Sequence, residues 1–398
     1  MEAVYPVSIH KQEVQEMKKN SFRNSKHIIS ACIGTAALLL VGFSACNFQP
    51  AQSIARNRPV GGGLAQGKAT VNEFLESGGG GGGIEFSTIQ SGDLDLPLLS
   101  KEEIKKMLDE TDASNLPSDP TQWYDELPQY KAPYKAGKIK QECLDLALAR
   151  LNALRRLSGL HAVALSSEAT EQAQAGAALM VITQNFGHGS QPVPAGIDAN
   201  NEFYTAGKTG TATGNVYPQY PLIQSIDGYN LDPGNPGVGH RLWQLSPGIT
   251  AVGIGSAIKK KDASGKEIGL GGNVEVVVGA QPDSGTTITP TTNWNFISWP
   301  SPGYFPLEGN LFGNPSFWHV QFNGNEYVVG AGKIIVTQLD TGEQWIEEHT
   351  GGNTLVFNKS NTWRAELGRY TYEVTGVRDK KTNAPERFVF TTEFFSRK

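Results

Sequence analysis

Leu148-Ala-Arg-Leu-Asn-Ala-Leu-Arg-Arg-Leu-Ser-Gly-Leu160 is the stretch from which the fold is read. With Ile139 and Leu144 before them, Leu148, Leu151 and Leu154 recur at helical spacing, and Gly159 supplies the stop. His161-Ala-Val-Ala-Leu165 follows as a short apolar run, and Ser166-Ser167-Glu168 opens a second helix. Ala169, Ala173, Ala177 and Met180 line one face of that helix, small enough to let a neighbour approach closely. A long Gly/Asn/Thr-rich stretch comes next, then Pro221 to Ile226 as a short helix. Ala251 to Ile258 and Val274 to Val278 read as strands joined by the polar loop Lys259 to Gly272. The order is helix, helix, loop, helix, strand, strand: a mixed domain with helices over a small sheet, set at 136–282.

Upstream, Met17 to Cys46 combines the basic residues Lys18, Lys19, Arg23 and Lys26 with an apolar run, Ile28 to Val41. Small residues then precede Cys46. This resembles a bacterial lipoprotein signal, which implies acylation of Cys46 and removal of residues 1–45. The run is short for a transmembrane helix of about 20 residues. Met17 is the better start for such a signal than Met1. Removing 1–45 takes away five basic and three acidic residues, so the formal net charge passes from −5 to −7. No basic field exists to hold nucleic acid. Cys143 remains as the one thiol, which excludes a disulfide scaffold. Residues 46–90 read as a flexible tether, in which Gln49 to Gly83 is rich in Gly, Ala, Ser and Asn and ends in the run Gly78 to Gly83. Residues 91–135 read as an arm: a helix opened by the capping box Ser100-Lys-Glu-Glu103, then Trp123, Tyr124, Tyr130 and Tyr134 to pack on the next domain.

Downstream of a linker at Pro282 to Thr292, the segments Val328–Leu339, Thr354–Phe357, Tyr370–Val377 and Arg387–Phe395 alternate or carry β-branched and aromatic residues. Residues 293–398 are therefore expected to form an immunoglobulin-like β-sandwich. The aromatics from Trp294 to Trp318 either fill an interface or stack on sugar rings or peptide prolines, and the first reading is favoured.

Two histidines stand in suggestive surroundings: His188 in Asn185-Phe-Gly-His-Gly-Ser190, and His240 in Gly237-Val-Gly-His-Arg-Leu-Trp243. The Leu148–Leu160 helix, the helix leading to Phe186-Gly-His188, and Gly239-His-Arg-Leu-Trp-Gln-Leu-Ser-Pro247 with Val252-Gly-Ile-Gly255 together resemble the CAP superfamily in its bacterial, SCP-like extracellular form. The resemblance runs from about Ala136 to Gly279 and implies a CAP-type α-β-α sandwich, so the whole chain is expected to be α+β. It also implies a cleft holding both histidines and two acids. One acid position is Gly214 here, and Asp227 is the nearest counterpart of the other.

His188, His240 and Asp227 are thus the candidate site. Two imidazoles and a carboxylate suit Zn²⁺ with an open position, and a metal-free hydrogen-bonded cluster is the alternative. No cofactor is required. No Gly-x-Ser-x-Gly elbow is present, Ser190 has no evident base and acid, and Cys143 reads as a buried thiol. The incomplete acid set favours a non-enzymatic binding module for a small-molecule, lipid, peptide or glycan ligand. A metal-assisted, peptidase-like hydrolase of the cell envelope using the His188/His240 cleft is the alternative. Either way the expected place is the bacterial cell envelope outside the cytoplasm, and the outer membrane where two membranes exist.

Overall fold

The computed structural model describes residues 96–219, 221–308, 311, 317–359 and 364–397. The lipoprotein signal, Cys46 and the glycine-rich stretch lie outside them. Among the described residues no helix is long and apolar enough to cross a membrane.

The arm begins with α1 (Lys101–Glu110), and both reciprocal bonds of the expected capping box between Ser100 and Glu103 are formed. Its aromatics pack on the following domain as read from the sequence. Trp123 and Tyr124 are buried, and the Tyr124, Tyr130 and Tyr134 hydroxyls donate to the carbonyls of Ser256, Ile258 and Ala195. Short strands β1 (Tyr124–Glu126) and β2 (Lys138–Ile139) pair at its end.

The mixed domain runs α2 (Gln141–Leu157), β3 (Ala164–Leu165), α3 (Ser167–Thr183), α4 (Glu202–Thr213), β4 (Gly214–Pro218), α5 (Leu222–Leu231), α6 (Gly239–Gln244) and β5 (Ala251–Ala257). The hairpin β6 (Lys260–Lys261) and β7 (Glu267–Ile268) leads to β8 (Gly272–Val276). A four-stranded sheet of order β3-β5-β8-β4 forms the middle layer. Helix α3 lies against one face so closely that a Cβ on Gly253 or Gly255 would sit 2.1 or 2.2 Å from the main chain at Ala169 or Ala173. Val252 and Ile254 alternate to the other face and share a core with Leu144, Leu151, Leu154, Ile223 and Ile226 of α2 and α5. This is the expected α-β-α sandwich. Helix α4 is a correction, because Glu202–Thr213 lies inside the stretch expected to be loop. Asn201 caps it by accepting from Phe203 and Tyr204, and Gly207 and Gly210 let it approach α3, a packing reason that composition alone conceals.

The C-terminal strands are β9 (Phe296–Trp299), β10 (Gly303–Pro306), β11 (Trp318–Phe322), β12 (Tyr327–Gln338), β13 (Glu343–Thr350), β14 (Thr354–Phe357), β15 (Gly368–Asp379) and β16 (Pro385–Phe395). They form two sheets, β14-β11-β9 and β10-β16-β15-β12-β13, with β10 parallel to β16 and the other pairs antiparallel. Aromatic rings meet between the sheets: Phe296 stacks on Phe390 at 5.1 Å, and Trp318 lies 5.6 to 5.9 Å from Tyr372, Phe394 and Tyr370. Phe296, Trp299, Phe305 and Trp318 are therefore core residues, so these four leave no ring face for a ligand.

The residues between the mixed domain and the sandwich are tied back to the mixed domain. Asp283 accepts from Ser167 N and Oγ, at 3.0 and 2.6 Å, and Thr291 Oγ1 accepts from His161 N. One apolar cluster continues from Ile104 and Leu108 of the arm through the mixed domain into the sandwich. Lys101 pairs with Glu393, and Arg397 reaches Glu308, Asp109 and Asp112.

Candidate functional site

His188 stands in the turn that follows α3. Gln184 leaves the helix in the left-handed region, and Asn185 braces the turn by accepting from Gly187 N at 2.9 Å and donating to Ser190 O at 2.7 Å. Gln191 Nε2 closes it by donating to the carbonyls of Asn185 and Gly187. The imidazole is thereby presented at the surface.

His240 occupies the first turn of α6. The cap position is Val238, whose side chain cannot accept. Asp232 takes over that role: its Oδ2 accepts from His240 N at 3.0 Å and its Oδ1 meets His240 Nδ1 at 2.7 Å. Asp232 is buried, whereas the His240 side chain keeps 23% of its exposure. A buried carboxylate accepting at Nδ1 keeps the proton there, so the neutral imidazole carries its lone pair on Nε2. The His188 and His240 rings stack with centroids 6.0 Å apart and planes at 25°. Tyr229 lies 5.9 Å from His240 on the inner side and is itself fully buried.

Below the pair, Glu275 of β8 is fully buried. Asn215 Nδ2 donates to its Oε2 at 3.0 Å and also to the His240 carbonyl, and Gln244 Nε2 donates to Oε1 at 3.3 Å. Burial pushes the carboxyl up to about 7, against the opposing effect of those two amides and of His240 and Arg155. Arg155 is also buried, donating to the carbonyls of His161, Gln244 and Ser246. It caps the end of α6. For His188, the chain packed around the exposed residue's ring and then the nearby His240 hold the imidazole below its usual range, partly offset by the main chain at Thr211 and Gly214.

The structure therefore brings His188 and His240 together and does not add Asp227 to them. Both Asp227 oxygens are bound by Arg150, Oδ1 to Nε at 2.7 Å and Oδ2 to the terminal nitrogen at 3.0 Å. The carboxylate that meets His240 is Asp232, five residues later. Its signal in the sequence is Asp232-Pro-Gly, a turn motif ahead of the histidine. Glu275 has no such signal, since it alternates with valines in Asn273-Val-Glu-Val-Val277 like a residue facing water. Among the described residues no group of three His, Cys, Asp or Glu is placed to hold a metal ion. Asp232 is engaged behind His240, which leaves two imidazoles where catalytic zinc sites use three protein ligands. Cys143 is buried and unoxidised, and burial raises its thiol.

Residues 148–278 match the family model described as CAP: Cysteine-rich secretory protein family. Among curated proteins no relative matches the chain. Among solved structures, the extracellular domain of the hybrid two component system BT3049 from B. thetaiotaomicron is 12% identical, with a TM-score of 0.15. The alignment covers 36% of this chain and 20% of that one, a likeness too slight to bear on fold or function. The family match coincides with the three-layer domain that carries both histidines, and residues 148–278 of this chain are a domain of the CAP, cysteine-rich secretory protein family.

Proposed function

We propose that this chain is a bacterial cell-envelope protein, held outside the cytoplasm by lipid on Cys46, whose CAP domain binds a peptide or glycan without transforming it. The observation that carries this reading is the stacked His188–His240 pair with Asp232 behind it. Two imidazoles offer a ligand ring nitrogens for hydrogen bonding at a fixed spacing. Among the described residues, Asp232 is the one side chain hydrogen-bonded to either ring, so no serine or cysteine nucleophile is aligned with them. The Asp232–His240 bond also supports a second reading, a hydrolase in which His240 Nε2 takes a proton from water.

One experiment separates the two. The Cys46→Ser chain is titrated calorimetrically with muropeptides and with oligosaccharides, and each probe is then recovered and analysed by mass spectrometry. Saturable binding, weakened about tenfold or more by His188→Ala, with the probe recovered intact, is the expected result. Cleavage that depends on His188 establishes the hydrolase instead. Absence of binding by every probe overturns the reading of the cleft. Cys46→Ser is also expected to move the protein out of the membrane fraction, and unchanged partitioning contradicts the lipid anchor.

A further inference from the structure

Arg241 directly follows His240 and is 1% exposed. Its guanidinium donates to three main-chain carbonyls: Nε to Asn230 at 2.5 Å, one terminal nitrogen to Leu231 at 3.2 Å, and the other to Phe317 at 2.7 Å. It also lies over the buried ring of Trp299, 5.9 Å from the centroid. The first two carbonyls close α5 immediately before Asp232. The third, and the ring, belong to the strands β9 and β11 and their approach, outside the CAP match.

We propose that Arg241 is a positioning residue through which the β-sandwich sets the His240–Asp232 geometry. Asp232 sits at φ 50°, ψ 52°, a left-handed conformation that aspartate adopts more readily than most L-residues but that its neighbours must still orient. Its own N–H is tied to Gly228 O, and Arg241 ties the two peptide groups before it. Orienting those peptides orients the carboxylate, which in turn sets the Nδ1 proton of His240. A planar fork can serve three diverging acceptors, whereas an ammonium donates from a single point. Burying a cation against carbonyls alone is costly, and burial brings the guanidinium down to about 10. Asp232 attracts it from farther away. Geometry, more than ion pairing, is what this residue supplies. The two halves of the chain thereby meet at the residue next to the site, and the cleft is braced from the sandwich.

The inference rests on the His188–His240 reading of the site, but its test needs no ligand, so the two fail separately. In the full chain, ¹⁵N-imidazole spectra should show His240 as the Nδ1–H form with a downfield proton. In Arg241→Lys that proton should disappear and Nε2–H become the major form, at temperatures where circular dichroism shows the chain folded. A lowered melting temperature with the downfield proton retained reduces Arg241 to a packing residue and overturns the proposal. Should Arg241→Lys not fold, hydrogen exchange on the unaltered chain decides. The His240 amide, which donates to Asp232, should lose protection in the same opening as the amides of β9 and β11. Protection of His240 that outlasts those strands overturns the proposal.

Discussion

The CAP domain and the β-sandwich solve the burial problem in opposite ways. In the CAP domain, α3 presents alanines to the glycines of β5, and backbone meets backbone. On the other side of the sheet, beside the apolar core of α2 and α5, the polar groups Glu275, Asn215, Gln244 and Arg155 are buried with hydrogen-bonded partners. In the sandwich, Phe296, Trp299, Phe305, Trp318, Tyr372 and Phe390 fill the space between sheets by area. Both parts share one apolar cluster, but large aromatic rings dominate it in the sandwich, whereas directional bonds among buried polar groups hold the site in the CAP domain.

The largest effect should come from the aromatic half. Trp318→Ala removes a fully buried ring packed against Trp345, Phe357, Tyr370, Tyr372 and Phe394, and is expected to cost about 3–5 kcal/mol in urea unfolding. A loss below about 1 kcal/mol would break the comparison. Next is Gly255→Ala, whose added carbon meets the Ala173 main chain at 2.2 Å, so α3 must shift. It should cost about 1–3 kcal/mol despite adding a single methyl group, and a neutral result would mean that the close approach is not a constraint.

Glu275→Gln sharpens the polar side of the contrast through pH. The carboxyl rises from its ordinary 4.5 to about 7 on folding, so the unfolded chain gives up the proton first. Its contribution is fully present below about pH 4.5 and is lost as pH rises through about 7, a change of about 3 kcal/mol. In Glu275→Gln that decline between pH 4.5 and 7 should vanish from the stability profile. A variant with the same slope as the parent places the titration on another group.

Much of this organisation is legible in the sequence. The leucine period of 141–157, the Ser100 capping box, and strand 354–357 follow from local chemistry. Helix α4 is hidden because its glycines serve packing against α3 rather than turns. Strands β9 to β11 are hidden by the prolines and glycines between them, and the parallel pairing of β10 with β16 joins residues far apart in the chain. At the site, the two histidines announce themselves by their glycine-flanked turns. The choice of Asp232 over Asp227 depends on a left-handed residue and on Arg150 claiming the earlier carboxylate, neither of which spacing reveals.

Whether His188 and His240 form one coupled site is decided by imidazole NMR titration of the intact chain and of His240→Asn. His188 should titrate below 6.5 in the intact chain and move upward in His240→Asn. A His188 midpoint at or above 6.5, or one that His240→Asn leaves unmoved, contradicts a coupled site.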